Sequence, residues 1–246
     1  GFRPECRLDD FFHQDGAKSL DHVLCETPFD NLRLIPGTTG LLDVANPRFQ
    51  QKAALIRELR RVEADLVIVD LDAGAHLNTL DFFLVSQTNG VLVITPERTS
   101  IDNAFKFLRA ALFRRIERFY QSRELGLLLK RNESLNTFLE NLEQAACFAP
   151  SVRMQVRKEI LALARSFRPR IVVNKASNGY EAKIAANILA KYTRQLLRIE
   201  PENLGFLYFD QCVSQAVNSG VPFIVGQPRR KVSGCVQDIV NRLGYF

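Results

Sequence analysis

Three polar side chains, Asp70, Asn174 and Asp210, each stand at the end of an apolar run. The three runs are residues 66–69, 171–173 and 204–209. Uninterrupted runs of this kind, bounded by polar residues, are typical of parallel strands that helices cover on both faces. In an open parallel sheet, ligands bind beyond the carboxyl ends of the strands. The sequence therefore predicts a ligand site at the edge where these side chains lie.

The residue types at this edge fit a nucleotide. A fixed carboxylate such as Asp70 suits Mg²⁺ or its water shell, and an amide such as Asn174 can donate to and accept from a base edge. Gly74 follows in a small-residue turn that allows close approach to a ligand. Simpler roles remain open, with Asp70 as a helix-capping or solvated residue and Asn174 as a turn residue. Asp210 has the alternative role of capping the next helix.

Alternating strands and helices are predicted to position these residues. Predicted strands cover residues 32–35, 66–69, 91–95, 171–174 and 204–209, and predicted helices cover 49–62, 77–86, 101–119, 181–197, 213–218 and 231–243. The strand at 91–95 is predicted to be fully buried. The helix that follows it is predicted to carry one apolar stripe and to be capped by Thr99 and Ser100. The pattern indicates βαβ units and an α/β fold with a parallel open sheet flanked by helices. We expect one domain over residues 1–246, with an all-helical insertion at 121–168.

Composition indicates an ordinary soluble protein. The 246 residues are 46% hydrophobic and 24% charged, which is typical of globular domains. No apolar run approaches the roughly 20 residues of a membrane span. The five cysteines are scattered and the three histidines show no metal-ligand spacing. Scattered cysteines favour a reducing compartment, so we expect a cytoplasmic protein with free thiols.

The formal net charge of +6 permits anionic partners without selecting one. Basic residues concentrate on the predicted helix over residues 104–123 and comprise Lys106, Arg109, Arg114, Arg115, Arg118 and Arg123. Two interpretations remain open for this cluster. It is either the solvated face of an amphipathic helix or a surface that docks DNA, a membrane surface or an acidic partner.

Several segments together resemble the MinD/ParA family of deviant P-loop ATPases, and most closely its bacterial FlhG-like members. Asp70-Leu-Asp-Ala-Gly74, followed by residues 78–83, resembles the second switch region of that family. Residues 95–104 and 210–222 are similar to two later segments, in the same order. The resemblance covers most of the chain outside 121–168. It implies a P-loop NTPase that dimerises with ATP and Mg²⁺ and positions a flagellum, a division site or a chromosome.

The resemblance also implies roles for individual residues. Asp70 matches the carboxylate that holds Mg²⁺, usually through water, and Gly74 matches the switch glycine near the γ-phosphate. Asn174 matches the residue that reads adenine, and Asp210 lies in the loop that closes over the base. The chain departs from the family at Asp72, where the family usually has a small uncharged residue. An added carboxylate there would repel a triphosphate unless it faces solvent.

A second departure concerns the phosphate-binding loop. The 246 residues contain no Gly-x-x-x-x-Gly-Lys-Ser/Thr and no deviant form with an early lysine. We expect this loop and the catalytic aspartate to lie upstream of Gly1, or residues 66–70 and 91–95 to pair directly. Without the loop the chain alone is predicted to be inactive, with no catalytic residue of its own. The alternative function is a non-catalytic regulator or scaffold that kept the fold and lost ATP binding.

Overall fold

The computed structural model describes residues 6–13, 19–37, 49–86, 90–145 and 148–244. Backbone contacts group the chain into two compact units, residues 1–71 and 72–246. Organisation as a single domain with an insertion at 121–168 stays a prediction. Within the described ranges, no helix is both long enough and apolar enough to cross a membrane.

The unit of residues 1–71 combines short helices with a small antiparallel hairpin. Its elements are α1 (Leu8–His13), a 3₁₀ helix (Leu20–Val23), β1 (Cys25–Glu26), β2 (Arg33–Leu34) and α2 (Phe49–Leu59). The hydroxyl of Thr27 donates to the carbonyl of Leu32 at 2.7 Å and accepts from the amide of Phe29 at 3.2 Å. These bonds close the loop between β1 and β2. The predicted strand at 32–35 is confirmed by β2, whereas its two-residue partner β1 was not predicted.

The prediction of a buried strand at residues 66–69 is wrong. These residues form neither helix nor strand, and no described strand pairs with them. Their side chains are 37%, 40%, 82% and 45% exposed, in the order Leu66, Val67, Ile68 and Val69. An apolar run favours burial, but it becomes a strand only where a neighbour satisfies its backbone hydrogen bonds. The alternative prediction that residues 66–70 pair directly with 91–95 is wrong for the same reason.

The unit of residues 72–246 contains the parallel sheet. Its elements are α3 (Leu77–Val85), β3 (Val91–Ile94), α4 (Arg98–Tyr120), α5 (Arg123–Lys130), α6 (Leu135–Gln144), α7 (Pro150–Ser166), β4 (Arg170–Ala176), α8 (Gly179–Leu197), β5 (Glu202–Tyr208), α9 (Gln211–Ser219), α10 (Phe223–Gly226) and α11 (Lys231–Leu243). The strand order is β3-β4-β5, and both pairs are parallel. The predicted α/β class, a parallel sheet flanked by helices, is confirmed.

Burial in this sheet follows the position of each strand. The central strand β4 lies between β3 and β5, and its residues Ile171, Val172 and Val173 are at most 5% exposed. The edge strand β3 pairs with β4 alone, and Val91 and Val93 are 43% and 58% exposed. The prediction that residues 91–95 form a fully buried strand is therefore wrong about burial, because the run has only one described neighbour.

The long helix α4 joins the sheet to the other helices. Its predicted apolar stripe is confirmed, since Ile101, Leu108 and Ile116 are at most 4% exposed. The predicted cap at Thr99 and Ser100 is wrong, because α4 begins at Arg98 and its N-cap is Glu97. The Ser100 hydroxyl instead accepts a hydrogen bond from the Thr95 amide at 2.9 Å. That bond secures the chain where β3 turns into α4.

Residues 121–168 form the three helices α5, α6 and α7, as the absence of a strand pattern predicts. Ser122 caps α5, and Ser134 forms a reciprocal capping box with Thr137 at the start of α6. Phe138 and Ile160 are fully buried. The three helices therefore form a packed layer that adds its own core to α4 and α8.

Candidate functional site

Asn174 and Asp210 lie at the carboxyl ends of neighbouring parallel strands. Ala176 of β4 is in register with Tyr208 of β5, and the Phe209 amide donates to the Ala176 carbonyl at 3.0 Å. The ladder therefore continues to the point where both chains leave the sheet. This end of a parallel sheet is where ligands of α/β proteins bind. The structure brings these two predicted residues to one edge, and their role as nucleotide ligands stays a prediction.

Strand β4 has an irregularity directly after Asn174, where its register with β5 shifts between Val173 and Ala176. Oδ1 of Asn174 accepts from the Lys175 amide at 2.8 Å, and Lys175 has a φ of +56°. A left-handed conformation costs a residue with a side chain about 1–2 kcal/mol, and such strain concentrates at functional sites. The sequence left open that Asn174 is a turn residue, and the hydrogen bond from the Lys175 amide to its Oδ1 is a local backbone contact of that kind. The amide NH₂ of Asn174 has no partner among the described residues and remains available to a ligand.

The end of β3 adds a carboxylate to the same edge. A hydrogen bond from the Thr95 side chain holds the pKa of Glu97 below its usual range, and the charge of Lys175 lowers it further. Ile94 of β3 is in register with Val173 of β4, so the ends of the two strands are close. An ammonium group and a carboxylate of opposite charge therefore lie at this edge, beside Asn174.

Asp210 acts as the N-cap of α9. Its Oδ1 accepts from the Cys212 amide at 2.9 Å, and its Oδ2 lies 3.9 Å from Nη1 of Arg230. Hydrogen bonds from the backbone and thiol of Cys212 hold the pKa of Asp210 below its usual range, and Arg230 contributes to this. The carboxylate is therefore ionised at neutral pH. The capping role left open by the sequence is present, and it orients the carboxylate toward Arg230.

An open cavity of about 390 Å³ lies beside Asp210. It is lined by Phe209, Asp210, Gln211, Cys212, Gln215 and Arg230. The ring of Phe209 is 66% exposed and offers an aromatic face beside amide donors and acceptors. These are the groups that hold a flat heteroaromatic base. Sequence analysis did not identify Arg230 as a site residue. The one feature that could have indicated it is the basic triplet 229–231, which leads into α11.

Cys212 packs beneath this cavity. The side chain is 1% exposed, and burial, followed by the neighbouring Asp210, raises the pKa of the thiol. A buried thiol with a raised pKa is a poor nucleophile. The residue therefore contributes packing and a hydrogen bond to the cavity wall rather than covalent chemistry.

The residues that resemble a switch region lie in the turn before α3. Gly74 has a φ of +117°, which only glycine adopts readily, and a Cβ there would lie 3.4 Å from the His76 ring. Oδ1 of Asp72 accepts from the Ala73 amide at 2.7 Å. Asp72 is therefore committed to its own turn, which accounts for a carboxylate at this point in the chain.

Asp70 belongs to the unit of residues 1–71, and its predicted strand is absent. Within the described ranges, no group of three or more His, Cys, Asp or Glu side chains could hold a metal ion. Nucleotide-bound Mg²⁺ needs only one or two protein carboxylates, because phosphates and water complete its shell. The Mg²⁺ role of Asp70 thus stays a prediction that one carboxylate is chemically able to fill.

Comparison with known proteins rests on the fold alone. No protein-family model matches the sequence, and no curated protein sequence matches it either. The structure is similar to the crystal structure of the cell division ATPase MinD from Pyrococcus furiosus, with a TM-score of 0.57 and 14% identity. The similarity covers 98% of this chain and 76% of that chain. The narrower FlhG-like assignment stays a prediction. The chain has an α/β fold similar to that of MinD.

Proposed function

We propose that this protein is an ATP-dependent switch of the MinD/ParA type, which dimerises with ATP and Mg²⁺ and is reset by slow hydrolysis. The observation that carries the proposal is the placement of Asn174 and Asp210 at the ends of adjacent strands in a MinD-like fold. A cavity lies beside Asp210. The output we propose is the positioning of a cellular structure, of which a flagellum is the FlhG-like case.

The base of the nucleotide would occupy the cavity beside β5. The exposed ring of Phe209 would stack on the base. The amide of Gln215, which lines the cavity, would supply a polar contact. Asn174 does not line the cavity, so its free NH₂ group would have to reach a ring nitrogen from the neighbouring strand end. Asp210 would hold Arg230 in place at the rim, since the two are already 3.9 Å apart.

The phosphate side of the site rests on Asp70 and Gly74. In the proposed function Asp70 binds Mg²⁺ through water, and Gly74 allows its turn to approach the γ-phosphate. Strong phosphate binding also requires a backbone nest and a lysine, which the 246 residues do not contain in Walker A form. We therefore expect this chain alone to bind ATP weakly and to hydrolyse none.

A non-catalytic regulator is the second candidate. It is favoured by the local engagement of both candidate base-site oxygens, Asn174 Oδ1 with Lys175 and Asp210 Oδ1 with Cys212. Calorimetry of ATP with the 246-residue chain separates the two functions. Weak but saturable binding, which the switch predicts for this chain alone, would already eliminate the regulator, because a protein that has lost ATP binding cannot show it.

DNA binding through residues 104–123 is not part of the proposal. Arg114 and Arg118 both pair with Asp81, at 2.8 Å and 3.8 Å. Arg115 lies 5.7 Å from the centre of the Phe167 ring. Cations held in this way contribute less to counterion release on a phosphate backbone than freely solvated ones. Docking of DNA or a membrane by this helix stays a prediction.

The decisive experiment restores the phosphate loop. A fusion that places a Walker A strand–loop–helix segment ahead of Gly1 should hydrolyse ATP in a Mg²⁺-dependent manner. Asp70→Ala in that fusion should reduce turnover by about 100-fold, as expected for loss of several kcal/mol of transition-state stabilisation. Asp72→Ala is the matched control, because that carboxylate is committed to Ala73. A fusion without turnover, or one indifferent to Asp70→Ala, would reject the proposal.

The base site has a separate test in the same fusion. Asn174→Ala should raise KM for ATP about tenfold while kcat stays unchanged, because it removes binding shared by the ground and transition states. Asn187→Ala, at an exposed position on α8, is the control. An unchanged KM in Asn174→Ala would remove Asn174 from the site.

A further inference from the structure

Helix α8 carries an exposed apolar row that begins opposite its buried face and winds toward it. The row, here called the α8 ridge, consists of Tyr180, Ile184, Ile188, Tyr192 and Leu196. These side chains are 76%, 42%, 38%, 45% and 37% exposed, in that order. The buried face is closed, since Ala185 and Leu189 are at most 2% exposed. Single exposed apolar residues are ordinary, but a continuous row of five marks an interaction surface.

Part of the ridge already has neighbours within the protein. The Tyr192 ring lies 6.4 Å from that of Phe105 on α4. Near the C-terminal end of α8, Nδ2 of Asn136 on α6 donates to the Gln195 carbonyl at 2.7 Å. The insertion therefore reaches only the end of the helix, and the open part of the ridge lies over its first turns, around Tyr180 and Ile184.

A row of lysine and amide side chains runs beside the ridge. Lys183, Asn187, Lys191 and Gln195 are exposed and repeat every four residues, each directly before a ridge residue. Neither lysine forms an ion pair with a described residue. The acidic residue of the first turn, Glu181, accepts from the Ser177 amide at 2.6 Å. The two lysines therefore give the rim two positive charges without an ion-pair partner among the described residues, and the carboxylate of Glu181 adds one negative charge at its start.

The path of the ridge around α8 favours a helix over a lipid surface as the anionic partner. A step of four residues overshoots a helical turn by about 40°, so the ridge winds around α8 by about 160° from end to end. A flat lipid surface meets only side chains that point the same way. A second helix follows such a row, because two ridges of this kind interdigitate at about 50°. We propose that the α8 ridge binds an acidic amphipathic helix of a partner protein.

In this arrangement, apolar side chains of the partner helix lie between those of Ile184, Ile188 and Tyr192. Its glutamate or aspartate residues face Lys183 and Lys191. Apolar burial supplies the affinity, whereas the lysines select the partner and its direction. Binding at this surface does not require nucleotide. An experiment that rejects the proposed ATP switch therefore leaves this proposal untouched, and the reverse is also true.

The test uses two synthetic helical peptides of about 20 residues. Both carry leucines at every fourth position, flanked by glutamates in one peptide and by lysines in the other. Fluorescence anisotropy with the 246-residue chain should show binding of the glutamate peptide at least tenfold tighter than the lysine peptide, with affinity falling as salt is added. Lys183→Glu combined with Lys191→Glu should reverse the preference.

Variants of the ridge complete the test. Ile184→Glu with Ile188→Glu, or Tyr180→Ser alone if that pair fails to fold, should weaken binding about tenfold or more. Val152→Glu with Met154→Glu on α7 is the matched control, since both residues are also exposed, and it should bind normally. Absence of binding, or equal binding of both peptides, overturns the proposal. It is also overturned if the ridge variants abolish only adsorption to phosphatidylglycerol vesicles or only self-association of the chain.

Discussion

Arg114 of α4 holds Asp81 of α3 through two hydrogen bonds, Nε to Oδ1 at 2.8 Å and Nη2 to Oδ2 at 3.3 Å. The Asp81 side chain is 4% exposed and that of Arg114 is 24% exposed. The hydrogen bond to Asp81 raises the pKa of Arg114. Because α3 follows directly after the turn of Gly74, this pair anchors the segment that resembles a switch to the body of the protein.

Removing the arginine should destabilise this unit. Arg114→Ala should lower the free energy of unfolding by about 1.5–3 kcal/mol, because it leaves a buried carboxylate short of its main partner. Urea denaturation followed by circular dichroism measures the change. Arg157→Ala is the control, because its pair with Glu143 is exposed and contributes about 0–1 kcal/mol. Equal effects of the two substitutions would contradict the anchoring role.

Gly90 should be intolerant of any side chain. Its φ is +65°, and a Cβ would lie 2.5 Å from the ring of Phe83, which packs edge-on against Phe107 with 4.9 Å between ring centres. Gly90→Ala should cost about 2–4 kcal/mol through backbone strain and overpacking. Gly234→Ala on α11 meets open space and should stabilise the protein by about 0.5–1 kcal/mol. Thermal denaturation of both variants checks the opposite signs.

Tyr120 should ionise late. Its hydroxyl donates to Oε2 of Glu159 at 2.6 Å, and burial, followed by that carboxylate, raises the pKa of Tyr120 well above its ordinary value. Because the folded pKa is raised, its stabilising contribution is complete below about pH 10, the ordinary tyrosine value, and is lost as pH rises further. Ultraviolet titration of tyrosinate should show an ionisation step that falls later than the ordinary tyrosine range.

The matched substitutions for this titration are Tyr120→Phe and Tyr180→Phe. Tyr120→Phe should remove the late step, whereas Tyr180→Phe, at a position that is 76% exposed, should leave it in place. A late step that survives in Tyr120→Phe would assign it to another tyrosine.

Cys212 should be the slowest of the described thiols to react. Its 1% exposure and raised pKa leave little accessible thiolate, whereas Cys6 and Cys25 are partly exposed. Alkylation by iodoacetamide, followed by peptide mass mapping, should label Cys212 at least about tenfold more slowly than those two. Asp210→Ala should accelerate its labelling by removing the cap and the negative charge. Similar rates in the native protein would show that the wall of the cavity opens readily.

Much of the helical framework was readable from sequence because its signals are local. The last helix was predicted with the bounds that α11 has, Lys231–Leu243. The stripe on α4 and the strand-free stretch at 121–168 were also predicted. A helix shows apolar residues with a period of 3.6 within its own segment, so it can be recognised without knowing which distant segment it packs against.

Strand pairing, by contrast, was decided by tertiary structure. Leu66–Val69 and Val91–Ile94 are equally apolar, but only the second run forms a strand, because only it has a described neighbour in β4. The pair of Asp210 and Arg230 joins residues twenty positions apart, and the basic triplet gave no sign of it.

The sequence by itself determined the α/β class, the order of the helices and the polar residues at two adjacent strand ends. Only the tertiary structure decided which apolar surfaces are covered. Helix α8 shows this most plainly, since it is apolar on two sides and packing buries Leu189 while leaving Ile184 exposed. The reason is physical: composition sets how much a side chain gains from leaving water, but a neighbouring element must be present to remove the water.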